Sequence, residues 1–363
     1  MISPQQNQYE PDLVTAPGEI LLEKLEELGM TQAELAGRIG RTKKTVNEIV
    51  KGKAPILPET ALQLERVLAI PARFWTNAEG RYREFQAREE ERARLGGHLG
   101  WLKTIPVKKL IQLGWLPPRT DPVSSLQDVL NFFGVASLDA LSRIGEERRL
   151  ALRPSIIHGV DQYALLAWIR KGEIEAQRRQ CAPYDENHFR GALNEIRTLT
   201  REPADEYTPL MIRLCAAAGV ALVFAQDVPG ARARGVTHWL KPEKAIVQLS
   251  LRGKTDDELW FTFFHQAAHI LLHPKREIFV ELNGATDSRE EEANRFASDF
   301  LIPQSAWQMA ALARPRSAVE VQAFAKQLGI ADGILVGRLQ REGLLPRTHL
   351  NALKSEIEFK AAS

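Results

Sequence analysis

The stretch that decides the fold is FHQAAHILLH, residues 264–273. It ends a run that starts with acidic residues at Asp256, contains neither glycine nor proline, and is followed by Pro274. These features predict a single helix, because acidic side chains favour a helix N-terminus and proline ends a helix. On that helix His265 and His269 are four positions apart, so both imidazoles project from one face. Two imidazoles one turn apart on a helix can both bind the same zinc ion.

A third ligand is predicted on the next helix, in the segment SREEEANRFA that begins at Ser288. Ser288 is the expected N-cap, and the acidic residues after it suit a helix N-terminus. Glu290 lies 21 positions after the second histidine, which leaves room for a loop and a returning helix. We therefore predict Glu290 as the third ligand. Glu291 is the weaker candidate because it points about 100° away on a helix. Asn294, one turn after Glu290, could hold the outer nitrogen of a ligand histidine.

The alternative is that this histidine pair is structural. An H-x-x-x-H pair on an apolar helix is common by chance, and only the acidic helix that follows gives the pair a metal-binding context.

Residue 266 determines whether the predicted zinc site has a general base. The usual motif is H-E-x-x-H, in which the glutamate takes a proton from zinc-bound water. Here the position is Gln266, whose carboxamide has a similar shape but cannot act as a base near neutral pH. Loss of a general base lowers the rate of catalysis by roughly 100- to 10,000-fold. We interpret Gln266 as an inactivating replacement of glutamate. The replacement can have been introduced deliberately, or it can be natural in a pseudoenzyme. Because the other site residues are intact, an introduced replacement is favoured.

Composition indicates a globular protein without membrane spans. The chain has 363 residues, 44% hydrophobic and 26% charged, which is enough for two or three domains. No apolar run approaches the roughly 20 residues that a membrane helix needs. Cys181 and Cys215 are too few for a disulfide framework, so a cytoplasmic location is expected. The net charge of +2 does not by itself indicate nucleic acid.

The N-terminal part predicts a helix-turn-helix. Residues 1–15 are a polar arm, and Pro17 opens an amphipathic helix. Thr31 and Glu34 form a capping box for a short second helix. Thr42 then caps a third helix. Two short helices joined by a glycine-containing turn are typical of the motif whose second helix enters the major groove.

Positive charge is local in this part. Residues 1–85 hold 11 Lys and Arg against 12 Asp and Glu, yet residues 38–53 hold six basic residues against Glu48 alone. A basic stripe of this kind suits DNA phosphates, whereas the alternative is a solvated charged face. We predict phosphate contacts from Gln32, Thr42, Lys51 and Lys53, and base contacts from Lys43, Lys44 and Asn47.

Residues 16–85 resemble a Cro/repressor-type (XRE) domain of the HigA antidote kind. The resemblance is carried by PGE at 17–19, GMTQAELA at 29–36, GKAPI at 52–56 and ARFW at 72–75. It implies binding to operator DNA and allows a homodimer.

The middle of the chain is predicted to be helical. Helices are expected over Val107–Leu113, over Leu126–Phe133 after a Ser124 cap, and over Asp161–Arg179. No catalytic or binding motif stands out here, so an adaptor between two functional ends is expected.

A small sheet is predicted after a helix over Pro209–Gly219. Its strands are Val220–Phe224, Gly235–Trp239 and Ala245–Leu249. An edge strand of such a sheet can hold an extended peptide. His238 on the second strand could stabilise an oxyanion, whereas the more ordinary interpretation is an exposed strand residue.

Residues 208–303 resemble the ImmA/IrrE metallopeptidase family. The resemblance rests on the sheet, on WFTFF at 260–264, on the two histidines, and on the segment from Glu290 to Pro303. It implies a zincin-like fold, Zn²⁺ and cleavage of a partner protein, often a DNA-bound repressor. Some members work beside toxins. The family has glutamate where this chain has Gln266. Residues 318–344 are expected to continue as two helices under the site.

These patterns predict a mainly α protein with a small β-sheet (α+β). The expected domains are a helix-turn-helix domain over 1–85, a helical connecting region over 86–205, a zincin-like metallopeptidase domain over 206–345, and a tail over 346–363. The predicted function is a DNA-binding regulator that cleaves a repressor or a toxin–antitoxin partner, with activity impaired by Gln266. One alternative is a repressor or antitoxin whose zincin domain only binds its partner. In another, the helix-turn-helix serves dimerisation or protein docking.

Overall fold

The computed structural model describes residues 14–151, 159–251, 255–282 and 287–357. Nearly all of the predicted N-terminal arm, residues 1–15, lies outside them. The chain forms two compact units, one up to Leu99 and one from Gly100 onward. The domain boundaries expected at 85 and 205 stay predictions. Within the described residues, no helix combines the length and apolar character of a membrane span.

The first unit is helical throughout its described residues. Its helices are α1 (Pro17–Glu27), α2 (Gln32–Ile39), α3 (Lys43–Val50), α4 (Pro58–Leu68) and α5 (Ala72–Gly96). The Thr31–Glu34 capping box starts α2, and the Thr42 hydroxyl accepts a hydrogen bond from the Thr45 amide at the start of α3. Both predicted caps are confirmed. The core of this unit is built around fully buried Trp75.

Helix α1 lies directly against the end of α3 at Gly18. A Cβ atom on Gly18 would come within 2.3 Å of the carbonyl oxygen of Ile49 and 2.5 Å of that of Val50. Only glycine allows the two backbones to approach this closely.

The helical part of the second unit contains α6 (Val107–Gln112), α7 (Pro122–Phe133), α8 (Leu138–Ala151), α9 (Gln162–Arg178), α10 (Glu186–Thr198) and α11 (Ala204–Ala217). Asp121, and not Ser124, caps α7, because its carboxylate accepts hydrogen bonds from the amides of Val123 and Ser124. Helix α11 contains Pro209 instead of starting near it. The proline removes one hydrogen bond from the helix, and burial of Tyr207 and Met211 around it offsets this loss.

The sheet has four strands, β1 (Val220–Ala225), β2 (Ala233–Lys241), β3 (Lys244–Ser250) and β4 (Phe279–Leu282). Their order is β1-β3-β2-β4; β1 and β3 are parallel, and the other two pairs are antiparallel. The three predicted strands are confirmed, and β4 was missed. Its four residues are too few for a period-2 pattern to stand out.

The remaining helices are α12 (Asp256–Leu272), α13 (Ser288–Leu301), α14 (Gln304–Ala313), α15 (Ala318–Leu328) and α16 (Asp332–Arg341). Helix α12 packs on the sheet face that carries Gly235 and Thr237, and α9 packs on the other face. The predicted fold class, mainly α with a small sheet, is confirmed.

Two arginines hold the C-terminal end of α13. Arg197 of α10 donates to the carbonyl oxygens of Phe300 and Leu301 at 2.9–3.1 Å. Arg338 of α16 donates to those of Ser298 and Ile302 at 2.7 and 2.6 Å. The last carbonyls of a helix lack partners within it, so these contacts fix α13 from the end opposite Glu290.

The start of α12 is closely packed against α16 and the C-terminal segment. A Cβ atom on Gly333 would lie 2.2 Å from Oδ1 of Asp256. That same oxygen accepts hydrogen bonds from the amides of Asp257 (2.9 Å) and Ser355 (3.2 Å). Burial raises the pKa of Asp256 to about 6.

Candidate metal centre

Three of the predicted ligands come together between α12 and α13. The Nε2 atoms of His265 and His269 lie 3.0 Å apart. The Glu290 carboxylate lies 3.1 Å from Nε2 of His265 and 3.6 Å from Nε2 of His269. One donor atom from each residue lies within 4.8 Å of the others, and all three residues are buried. Their role as ligands stays a prediction.

Glu290 is positioned by the first turn of α13. Oδ1 of Asp287 accepts hydrogen bonds from the amides of Arg289 (2.8 Å) and Glu290 (3.1 Å). The cap is therefore Asp287, and the prediction of Ser288 was wrong by one residue. Glu291 is exposed and lies outside the cluster.

The outer nitrogen of His265 is held by Asn294. Its Nδ1 lies 3.0 Å from Oδ1 of Asn294. A carbonyl oxygen only accepts, so in this arrangement Nδ1 carries the proton and Nε2 presents its lone pair to the cluster.

The outer nitrogen of His269 is held by a pair of residues that the sequence analysis missed. Nδ1 of His269 lies 2.9 Å from Nδ1 of His273, and Nε2 of His273 lies 3.2 Å from a carboxylate oxygen of Glu292. If Nε2 of His273 donates to Glu292, Nδ1 of His273 is free to accept the proton of His269. The signal was present as a third histidine four positions after the second.

Burial and neighbouring charges act differently on the two histidines of the cluster. Burial, together with the adjacent His265 and His273 rings, lowers the pKa of His269 to about 2. Burial also lowers the pKa of His265, but the hydrogen bond with Glu290, the charges of Glu281 and Glu290, and the hydrogen bond with Asn294 outweigh it and leave this pKa raised. The cluster is thus an anionic carboxylate beside imidazoles, a setting that attracts a cation.

The residues fit a zinc ion. Two imidazoles and one carboxylate are a ligand set of catalytic zinc sites, which keep a further position open. The outer nitrogens of both imidazoles are engaged, which directs the inner nitrogens toward the cluster.

Gln266 lies beside this cluster, fully buried against the sheet. Its Cγ would be 2.8 Å from a Cβ atom on Gly235, so the side chain occupies space that a larger residue on β2 would take. Its backbone carbonyl accepts a hydrogen bond from the Thr237 hydroxyl at 3.2 Å. Neither atom of its side-chain amide bonds to any residue in the described part of the chain.

Glu281 on β4 is a further side chain near the cluster that the sequence analysis missed. It pairs with Gly235 across the β2–β4 ladder. The Thr262 hydroxyl lies 3.5 Å from its Oε1 atom. Two residues earlier on the same strand, Phe279 stacks on His269 with ring centroids 4.2 Å apart. Strand β4 therefore runs alongside the face of α12 that carries His265 and His269.

His238 lies away from the cluster. It is buried with its Nε2 3.4 Å from Glu173 of α9, on the sheet face opposite α12. The suggested oxyanion role is therefore wrong, and so is the alternative of an exposed strand residue. Alternation along β2 places residue 238 on the face opposite Thr237.

The predicted DNA-contacting residues lie on and around α3. Lys43, Lys44, Lys51 and Lys53 are exposed, as is Thr42. The amide of Asn47 donates to Oε1 of Gln32 at 3.2 Å, which joins α3 to the start of α2. The Thr42 hydroxyl takes part in the cap of α3. All seven DNA contacts stay predictions.

Comparison with known proteins defines a helix-turn-helix protein with a peptidase-like second unit. Residues 21–75 match the family model described as helix-turn-helix, and residues 218–339 match the one described as IrrE N-terminal-like domain. The chain therefore carries an XRE-type helix-turn-helix domain and a domain of the IrrE N-terminal-like peptidase family, which confirms both resemblances.

Solved structures similar to the N-terminal part include HigA-type proteins. The antitoxin HigA of Pseudomonas aeruginosa, solved with the higBA promoter, is 31% identical over 23% of this chain and 90% of its own, with a TM-score of 0.22. An addiction module antidote protein of the HigA family from Coxiella burnetii is 28% identical over 23% of this chain and 92% of its own, also with a TM-score of 0.22. No curated protein matches the chain.

Proposed function

We propose that the chain is a DNA-binding regulator whose second unit holds zinc and acts on a partner protein. The observation that carries this proposal is the convergence of His265, His269 and Glu290 from two helices in a buried cluster. Its position inside an IrrE N-terminal-like domain supports the same conclusion.

Within this site each side chain has a distinct task. His265, His269 and Glu290 would hold the zinc ion, and Asn294 would keep His265 in the right tautomer. Bound zinc would supply a Lewis acid that polarises the scissile carbonyl and acidifies water. The Gln266 amide can hydrogen-bond water or substrate but cannot take up a proton. We therefore propose a site that binds its partner and hydrolyses it slowly.

The partner is proposed to bind as an extended segment along β4. This strand is at the edge of the sheet and lies next to the cluster. An edge strand has unpaired backbone groups that an extended peptide can complete. A repressor or a toxin–antitoxin partner is the class of protein that we propose for this position.

The first unit is proposed to bind operator DNA through α3. Support comes from the helix-turn-helix match, from the exposed lysines at both ends of α3, and from the antitoxin HigA, a similar protein solved with promoter DNA. A homodimer and a cytoplasmic location stay predictions.

A second candidate function is a repressor or antitoxin whose zincin domain only binds its partner. Gln266 is the observation that favours it, because the position of the general base has no carboxylate. Restoring the acid with Gln266→Glu separates the two. Zinc-dependent cleavage of a co-encoded partner by this variant supports the peptidase; its absence, with zinc bound, supports the binding protein.

Metal analysis of the full-length chain tests the site itself. We expect about one zinc per chain, retained through dialysis, and loss of that zinc in His265→Ala and His269→Ala. His188→Ala, which removes an exposed histidine on α10, is the matched control and should keep its zinc. Equal zinc content in all four proteins would contradict the assigned ligands.

A further inference from the structure

Glu281 is directed at the same part of α12 as Gln266. Residues paired across an antiparallel ladder point to the same sheet face. Glu281 pairs with Gly235, and the missing side chain of Gly235 leaves the space that Gln266 occupies. The Thr262 hydroxyl, one turn before Gln266 on α12, contacts Oε1 of Glu281 at 3.5 Å. The carboxylate and the carboxamide therefore lie on one side of α12.

Three of the four polar atoms of these two side chains have no hydrogen-bond partner in the described part of the chain, and the fourth, Oε1 of Glu281, is the atom that the Thr262 hydroxyl contacts. Oε2 of Glu281 and both amide atoms of Gln266 are buried without a hydrogen bond. A buried carboxylate oxygen without a hydrogen bond is unfavourable, because it has lost its contacts with water. Groups of this kind collect where a ligand or a reacting water is bound.

The charge of Glu281 reaches the metal cluster. It raises the pKa of His265, as the hydrogen bond and the charge of Glu290 also do, against the lowering effect of burial. Glu281 also interacts with Arg341 of α16, because burial lowers the pKa of Arg341 and the charge of Glu281 acts against this lowering. The other nearby carboxylates have partners of their own. Glu290 belongs to the ligand set, Glu292 contacts His273, and Glu258 pairs with Arg234 at 3.6 Å.

We propose that Glu281 is a catalytic residue that accepts the proton which position 266 cannot accept in this chain. This inference rests on the proposed peptidase function. A water O–H bond breaks, its proton goes to the Glu281 carboxylate, and the oxygen forms a bond to the scissile carbonyl carbon. The C–N bond then breaks, and the proton passes from Glu281 to the leaving nitrogen. The carboxylate is regenerated, and one water is consumed per peptide bond.

The test is a cycle of four full-length proteins, namely the native chain, Glu281→Gln, Gln266→Glu, and the double variant. Each is loaded with zinc, and its zinc content is measured. Two probes are used: titration with acetohydroxamate, which binds zinc as an anion after giving up a proton, and hydrolysis of fluorescein-labelled casein. Glu243→Gln, in the turn between β2 and β3, is the control for removing one carboxylate.

In the native background, Glu281→Gln is expected to weaken acetohydroxamate binding about 10-fold, as for loss of one hydrogen bond to a charged group. It should also lower casein hydrolysis by roughly 100-fold. In the Gln266→Glu background, Glu281→Gln should cause a smaller loss of both acetohydroxamate affinity and casein hydrolysis. The logarithm of each fold-loss should be less than about a third of its value in the native background, because the glutamate introduced at position 266 then accepts the proton.

Several outcomes would overturn the assignment. One is that the Glu281→Gln variant still binds zinc and binds acetohydroxamate as tightly as the native chain does. Another is an equal loss in both backgrounds, which would indicate that Glu281 acts only through its charge on His265. If casein is hydrolysed by the Gln266→Glu chain and not at all by the native chain, Glu281 is not a substitute base. Absence of bound zinc in the native chain would instead refute the proposed function. If Glu281→Gln does not fold, Glu281→Asp, which withdraws the carboxylate by one methylene, is compared in its place, and the same outcomes decide.

Discussion

Nδ1 of His269 lies 2.9 Å from Nδ1 of His273, and His273 in turn contacts Glu292. These two contacts orient His269, a proposed zinc ligand, from outside the cluster, much as Asn294 orients His265. Outer contacts of this kind are worth roughly 10- to 100-fold in metal affinity in zinc proteins.

We therefore expect His273→Phe and Glu292→Gln to weaken zinc binding by about 10- to 100-fold, with the larger effect for His273→Phe. The affinity is measured by competition with a chromophoric chelator. Glu291→Gln changes the adjacent exposed glutamate on α13 and should bind zinc like the native chain. If Glu292→Gln and Glu291→Gln are indistinguishable, the relay through His273 has no role in holding the metal.

The site residues that could be predicted from the sequence are those whose positions depend on a single helix. The spacing of His265 and His269 follows from one helix, and Glu290 follows from the acidic start of the next. Glu281 could not be found in this way, because its position depends on the pairing of β4 with Gly235, which is distant in sequence. The single-residue error at Ser288 arose because Asp287 is an equally good capping residue.

The same distinction holds for the fold. Caps such as Thr31 and Thr42 are local and were predicted correctly. His238 was misplaced because alternation along β2 does not reveal which face carries α12 and which carries α9. Deciding between the two faces requires the tertiary packing.

Gly18→Ala is expected to destabilise the first unit by about 2 kcal/mol, because its Cβ would meet the backbone carbonyls of Ile49 and Val50. Gly37→Ala is the matched control, since Gly37 lies inside α2 with open space around it; it should stabilise the unit by about 0.5–1 kcal/mol. Hydrogen exchange of peptides spanning residues 17–50 measures both changes. Equal exchange rates in the two variants would show that α1 and α3 do not touch at Gly18.

Asp256 is expected to make the second unit less stable as pH rises. Burial raises its pKa to about 6 from an ordinary 3.8, so the folded state holds this proton more tightly than the unfolded state does. The free energy of unfolding should therefore fall between about pH 4 and pH 6, by at most about 3 kcal/mol, and stay lower above pH 6. Asp256→Asn keeps an Oδ1 atom for the amides of Asp257 and Ser355 and has no proton to lose. Urea unfolding at about pH 4.5 and about pH 7.5 should show a smaller pH dependence for Asp256→Asn, and an unchanged dependence would contradict this assignment.

The lysines around α3 are expected to differ in what they contribute to DNA binding. Lys44 is 84% exposed and only 3.8 Å from Glu48, a surface pair too weak to hold it away from DNA. If Lys43 and Lys44 read base edges, their double alanine variant should lose about 10-fold or more in affinity for a selected operator and relax its sequence preference. Lys51→Ala, a predicted phosphate contact, should weaken binding to all sequences and reduce the slope of log affinity against log salt by about one.

Arg66→Ala removes an exposed charge on α4 and serves as the control in this binding series. Operators are first selected from a random DNA pool with the native chain, and affinities are then measured by fluorescence anisotropy at several salt concentrations. A loss in Lys43→Ala with Lys44→Ala no greater than in Arg66→Ala would remove α3 as the DNA-reading helix. The helix-turn-helix would then be better explained as a surface for dimerisation or protein docking, because such a surface does not require exposed lysines on the third helix.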